Sequence, residues 1–398
     1  MNSKTGSFKQ PALLLTGILL IATTLRAPIT GIAPVLEFIR ESFSLNTTEA
    51  GALTTLPLLA FAIASPFAVI MARKLGLERS LLAALVLMTA GILLRIVDSV
   101  WCLFTGTAII GIGIAIANVL LPSLLKRDFP DKIAPITGAY SVTAGAAAAL
   151  ASAAAVPVAG LTGGWHWALG AFVIFPLAAI VLWLPQLSAP RPQATQTTTT
   201  GKQSEQIWRS PLAWQVTLFF GLNSLIYYEI VAWLPAILTE AGYTAAAAGS
   251  LHGVSQLATA VPGLIFGLVL SRFRDQKIIA IILPSMTALS FAGIMLVPQW
   301  ALLWVALFGF GSGATFILAL AFISLRSSSA AQAASLSGMA QCIGYSIAAG
   351  APPFAGFLHD QFHGWTIPLI LCIAVCIAMA ALGLCAGRPV HISNPQDK

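Results

Sequence analysis

A single arginine carries the sharpest chemical signal in this sequence. Arg26 lies about halfway along an apolar block running from roughly residue 12 to 36, and a guanidinium at a bilayer centre costs roughly 2.5 to 3.5 kcal/mol on insertion scales. Thr23 and Thr30, at i−3 and i+4, would share its face on a continuous helix. A guanidinium offers a planar fork of donors suited to nitro, carboxylate or cyanate oxygens, and it stacks on flat rings. Two readings stand side by side: contact with a substrate or gate, or pairing with buried carbonyls to pin helices.

A second group lies near residue 227. Asn223 and Tyr227 are four apart and share one helical face, while Ser224 and Tyr228 share the neighbouring one. They supply hydrogen-bonding heads and two aromatic bodies able to sandwich a flat solute. Helix anchoring through the tyrosine hydroxyls is the competing reading.

Further polar residues repeat this spacing inside apolar blocks. Asn118 follows Gly111 and Ala115 on one face and could line a cavity or join two helices by hydrogen bonding. His252 and Gln256 are four apart, with His252 expected in a wetted vestibule near the outer end. Gln341 and Tyr345 repeat the pattern again. Glu229 is the one carboxylate well inside a block and is a candidate for proton coupling. It stands two residues from Tyr227, hence about 200° round a helix, so the two would not share one face. The basic loops Arg73, Lys74, Gly76, Glu78, Arg79 and Arg272, Arg274, Asp275 mix both signs of charge at half-chain spacing. They read as cytoplasmic gating salt bridges or as plain topology determinants.

The elements that must hold these residues follow from composition. Of 398 residues, 58% are hydrophobic and 8% charged, against roughly a quarter charged in ordinary soluble domains. Soluble enzymes and disordered chains are excluded, and the apolar excess must face lipid. The net charge of +7 is spread between apolar blocks with no basic run interleaved with aromatics, which fits membrane topology and excludes nucleic acid as a partner. Cys102, Cys342, Cys372, Cys376 and Cys385 all sit in apolar segments without CxxC spacing, so they read as small packing residues. His359 and His363 lie in an expected short external loop and do not form a metal motif. Gly309 to Gly313 lacks the Lys-Ser/Thr of a phosphate loop and reads as close helix packing of GxxxG type. No cofactor is expected.

Twelve apolar blocks divide six and six: residues 1–186 form a first bundle, 187–212 a polar linker rich in Pro and Thr, and 213–398 a second bundle. Lys4 and Lys9 precede a block too long for a signal peptide, so the first span is expected to stay uncleaved. With the N-terminus inside, seventeen of the twenty basic residues fall in cytoplasmic segments, all but Arg26, Arg40 and Arg95. That bias places both termini in the cytoplasm. A shift of about 200 residues superposes Gly111 on Gly311, Gly113 on Gly313, Lys126 on Arg326 and Gly164-Trp165 on Gly364-Trp365. Near the start of each half the shift is 198 to 201, which lays Tyr227 over Arg26. Parallel six-span repeats of this kind belong to transporters with a midplane site between halves.

The layout, the basic loops after the second and eighth spans and Gly164-Trp165-His166-Trp167 resemble the major facilitator superfamily over essentially the whole chain. Arg73 stands where that family's loop usually has Asp, and Thr107 where many members carry Arg. Thr24-Leu25-Arg26, Asn118 to Pro122, Trp208 to Gln215, Asn223 to Tyr228 and Gly309 to Thr315 look like the cyanate and nitroimidazole branch. The resemblance implies a monomeric secondary transporter in the cell inner membrane, moving a small planar nitrogen-containing solute outward. Proton-coupled uptake of a small anion such as cyanate is the first alternative, and a non-transporting receptor or scaffold the second.

Overall fold

In a computed structural model of the chain, residues 9–129, 132–188, 207–265, 275–328 and 330–392 are described. All regular structure among them is helical. The helices are α1 (Lys9–Thr24), α2 (Ala27–Thr30), α3 (Leu36–Phe43), α4 (Thr47–Leu75), α5 (Leu77–Arg95), α6 (Val100–Asp128), α7 (Ile133–Thr162), α8 (Trp165–Gly170) and α9 (Ile174–Trp183). The second half holds α10 (Pro211–Glu240), α11 (Ala245–Ala260), α12 (Lys277–Leu296), α13 (Ala301–Leu325), α14 (Ala330–Ala349), α15 (Ala351–Phe362) and α16 (Thr366–Ala386).

Ten stretches among the described residues are long and apolar enough to cross a membrane. The expected eighth span corresponds to α11, of which 16 residues are described, and the eleventh to α14 and α15, which break at Gly350. Exposed Ile63, Phe67, Trp101, Leu161, Val181, Leu296 and Ile377 give the helices outward apolar surface of a kind that soluble monomers do not carry. The chain is a multi-pass membrane protein.

Local chemistry sets the helix boundaries. Asn46 and Glu49 cap the start of α4 reciprocally: the Glu49 N–H donates to Asn46 Oδ1 at 2.8 Å, and the Asn46 N–H to Glu49 Oε2 at 2.9 Å. Gly76, at φ 85°, turns the chain from α4 into α5 within the basic loop, a conformation that favours glycine. Ser210 caps α10 through its hydroxyl, with Pro211 in the first helical position.

The expected first span is not one helix. Pro28 has no N–H to bond the Thr24 carbonyl and Pro34 none to bond that of Thr30, and α1 and α2 end at those two residues. Arg26 therefore caps the N-terminus of α2 at φ −124°, and the face shared by Thr23, Arg26 and Thr30 on a continuous helix does not exist.

The residues form two compact units. The first comprises Met1–Leu45, Leu56–Ala194 and Ala245–Gly253; the second comprises Asn46–Thr55, Thr195–Thr244 and Val254–Lys398. In the first unit α5 runs along α6, and Leu81, Met88, Ile92, Ile110 and Ile114 are buried. Gly91 and Gly106 allow that approach, since a Cβ on either would lie within 2.7 Å of the other's carbonyl oxygen. In the second unit α10 packs on α14 and α16, and α12 on α13 and α16, around Phe219, Phe291, Phe308 and Phe322.

Helix contacts correct the repeat register in the middle of each half. Gly111 faces Pro57 and Ala60 of α4, and Gly309 faces Ser255 and Ala258 of α11, an offset of 198. Gly113 faces Ala84 and Met88 of α5, whereas Gly311 faces Leu283 and Thr287 of α12. Gly111 thus corresponds to Gly309 and Gly113 to Gly311, because matching glycines must open the same face of their helix. Letter identity at a shift of 200 had aligned opposite faces. The GxxxG reading holds for Gly309 and Gly313, where an added Cβ would come 2.3 Å from the Ser255 and Thr259 carbonyl oxygens.

Candidate substrate site

In the first unit, the break between α1 and α2 places Arg26 where backbone groups are freed from helical bonding. Its side chain is half-buried and lies within electrostatic reach of the Tyr140 hydroxyl on α7. Thr30 is buried, and its hydroxyl donates to the carbonyls of Arg26 at 3.1 Å and Ala148 at 3.4 Å, joining α2 to α7. That hydroxyl is engaged in packing. Asn118 is exposed on α6, although its helix is otherwise well buried around it.

His252 differs from its expected vestibule position. It is fully buried, and its Nδ1 lies 2.7 Å from the Ser152 hydroxyl of α7, which also donates to the Gly249 carbonyl at 3.0 Å. Gly249 and Gly253 let this part of α11 approach α7 so closely that a Cβ would sit 2.9 Å from the Ser152 carbonyl oxygen and 2.7 Å from that of Ala149. Close helix contact, rather than water, surrounds the imidazole.

The second unit gathers the larger polar and aromatic group. Tyr227 donates its hydroxyl hydrogen to Gln256 Oε1 at 2.8 Å, linking α10 to α11. One turn earlier, Asn223 is buried, and its Oδ1 stands 3.5 Å from the Ser312 hydroxyl of α13. Tyr228 meets Tyr227 edge-on at 5.0 Å between ring centroids and Tyr345 at 6.3 Å. Phe220 in turn meets Tyr345 at 5.5 Å. Both tyrosines of α10 are partly exposed, so aromatic faces and fixed polar heads stand together, as the spacing of Asn223, Tyr227 and Tyr228 implied. Gln341 shares their α14 neighbourhood through Tyr345 but donates to Ser337 on its own helix at 3.0 Å.

Glu229 points elsewhere. It is buried and shares a hydrogen bond with the Cys372 thiol of α16, on the side of α10 away from Tyr227. Its periodicity had indicated this separation.

Of the gating group, Glu78 pairs with Arg127 at the end of α6, which also binds Asp128 at 2.9 Å, while the Trp183 indole donates to the Glu78 carbonyl at 3.0 Å. Burial alone would lower the Arg127 pKa, but hydrogen bonds and charge from Asp128 and Glu78 outweigh it and leave the guanidinium raised. Lys74 and Arg79 are exposed and Gly76 forms the turn. Asp275 lies 3.8 Å from Lys277. Arg326 is held by Gln276 at 2.6 Å and the Ala386 carbonyl at 2.7 Å. The side chain of Arg73, and Arg272 and Arg274 altogether, lie outside the described residues.

Sequence reasoning passed over Ser152, Ser312, Phe220 and Arg127 as partners. Only Arg127 carried a signal, a basic residue beside an acid at a helix end. His359 lies in the last turn of α15 rather than in a loop, 3.2 Å from Glu240 and against the Trp365 ring.

The chain matches the model of the Major Facilitator Superfamily over residues 14–349 and belongs to that family. It is a membrane transporter, not an enzyme. It is 54% identical over 386 residues to the 2-nitroimidazole transporter of Escherichia coli (strain K12), covering 97% of this chain and 98% of that one. The cyanate transport protein CynX of the same organism is more distant, at 27% identity over 86% of this chain and 89% of its own. A solved bacterial homologue of the human lysosomal transporter Spinster has the same fold at a TM-score of 0.75, 16% identity and 98% coverage of both chains.

Proposed function

We propose that this transporter exports small planar nitrogen heterocycles of the 2-nitroimidazole kind by alternating access. The observation that carries the reading is the Tyr227–Gln256 hydrogen bond set among Tyr228, Tyr345 and Phe220. A fixed polar head beside edge-on rings suits a flat, weakly polar ring bearing hydrogen-bond acceptors. In the first unit, Arg26, half-buried at a helix break, offers a planar fork of donors that suits a nitro group. The identity to the 2-nitroimidazole transporter, spread over nearly all of both chains, supports the same substrate class.

The transporter works as a monomer in the cytoplasmic membrane, with both termini inside; the distribution of basic residues supports that orientation. Residues 1–186 and 213–398 act as its two halves, joined by the linker 187–212.

Cells lacking or overproducing the protein, challenged with a panel of nitroimidazoles, cyanate and unrelated drugs, test the reading. Deletion is expected to sensitise cells to nitroimidazoles and overproduction to protect them. Unchanged tolerance to the whole heterocycle set would reject the substrate class.

A second reading, proton-driven uptake of a small anion such as cyanate, draws on the guanidinium of Arg26 and the likeness to CynX. Radiotracer flux under imposed pH gradients separates the two: anion uptake predicts inward flux driven by external acid.

A further inference from the structure

Arg95 is one of the three basic residues that fall outside the expected cytoplasmic segments, and its side chain is fully buried at the end of α5. Its Nη1 donates to the Pro28 carbonyl at 2.6 Å. That carbonyl is left over by the helix break: the N–H groups of Thr30 and Gly31 bond Arg26 and Ala27, and that of Ile32 bonds Ile29. Arg95 therefore caps the carbonyl that α2 skips, which accounts for one of its three nitrogens.

The other two have no such explanation. Nε and Nη2 are both buried and make no hydrogen bond among the described residues. Side by side, they form the edge of a guanidinium that takes a carboxylate or similar group in two parallel bonds. Among the described residues no carboxylate pairs with it. Asp98, three residues on, is largely exposed and faces His166 at 3.6 Å. Leaving buried charged donors unpaired is costly, and a ligand with two oxygens would recover that cost. Ile96, the next residue, lines a surface recess of about 320 Å³ with Asp98, His166 and Trp167.

We propose that the Nε–Nη2 edge of Arg95 is a binding station for a planar group presenting two oxygens: a nitro group, a carboxylate or a nitrate-like anion. It does not depend on the export reading above. The group could belong to the transported solute or to a free anion of the medium, and the test distinguishes them.

The experiment follows the thermal melting of the full-length protein in lipid nanodiscs during titration with sodium nitrate or with 2-nitroimidazole, at ionic strength held constant with gluconate. For wild type, a saturable rise in Tm is expected with at least one probe. Arg95→Lys, which can still reach the Pro28 carbonyl but lacks the two-donor edge, should weaken the apparent affinity at least tenfold. Arg95→Gln serves as the second variant should the lysine protein not fold. A response to nitrate that the Arg95 variants weaken identifies a free anion as sufficient, and a response to 2-nitroimidazole alone that they weaken identifies the solute's nitro group; both support the station. A wild-type Tm indifferent to both probes overturns it, whatever the variants do. So does a rise whose apparent affinity Arg95→Lys and Arg95→Gln both leave unchanged.

Discussion

The Tyr227 hydroxyl and the Gln256 amide oxygen, 2.8 Å apart, tie α10 to α11 in the middle of the aromatic group. Gln256 is fully buried while Tyr227 is partly exposed, so the bond fixes a tyrosine whose ring remains available. Tyr227→Phe keeps the ring and loses the bond, and Gln256→Leu removes the other partner. Each is expected to raise the KM for transport several-fold. A double-mutant cycle on transport should give a coupling of about 1 kcal/mol, because one buried hydrogen bond is shared. Additive effects would show that the bond plays no part in holding the site.

Arg26→Ala is expected to abolish transport while membrane abundance stays at the wild-type level. Arg26 caps a short helix without a side-chain capping bond. Arg26→Lys keeps the charge without the planar fork and should recover only a small part of the flux. Immunoblotting of membranes alongside flux checks both, and normal transport by the alanine variant would remove Arg26 from the site.

Glu229→Gln should leave transport and its pH profile unchanged. The carboxyl meets Cys372, on the opposite side of α10 from Tyr227, and glutamine preserves both shape and hydrogen bonding. Flux measured between about pH 5 and 8 is the check. A flattened pH profile in this variant would restore Glu229 as a coupling group.

Glu78 and Arg127 join the start of α5 to the end of α6, with Asp128 sharing the guanidinium. Both partners are largely shielded, at 14% and 11% side-chain exposure, so removing one charge leaves the other poorly solvated. Glu78→Gln is expected to destabilise the protein by roughly 1 to 3 kcal/mol, read as a lower Tm in nanodiscs. Exposed Arg79→Gln should leave Tm unchanged.

Gly309→Leu or Gly313→Leu should prevent stable assembly, since even a Cβ there would lie 2.3 Å from a backbone carbonyl of α11. The expected loss is several kcal/mol, seen as aggregation on gel filtration. Gly160→Ala, where an added Cβ meets nothing within 4 Å, should behave as wild type.

By itself the sequence determined what bulk properties and periodicity control. Composition required a lipid-embedded helical chain, and the duplicated glycines and tryptophans marked two related halves. The i, i+4 spacing of Asn223 and Tyr227, and the 200° between Tyr227 and Glu229, held because α10 runs unbroken through them. Spacing is a reliable guide within one regular helix, where geometry is local.

Tertiary structure decided the rest. Prolines 28 and 34 broke the first span and dissolved the face assigned to Arg26. The partners of His252, Thr30 and Glu229 lie 100, 118 and 143 residues away in sequence, and the true register of Gly111 with Gly309 appeared only when the helices they touch were known. Arg95 is the clearest case. Nothing in its neighbours announces that α5 carries it against the Pro28 carbonyl of α2, 67 residues earlier, because that bond depends on two helices meeting in space.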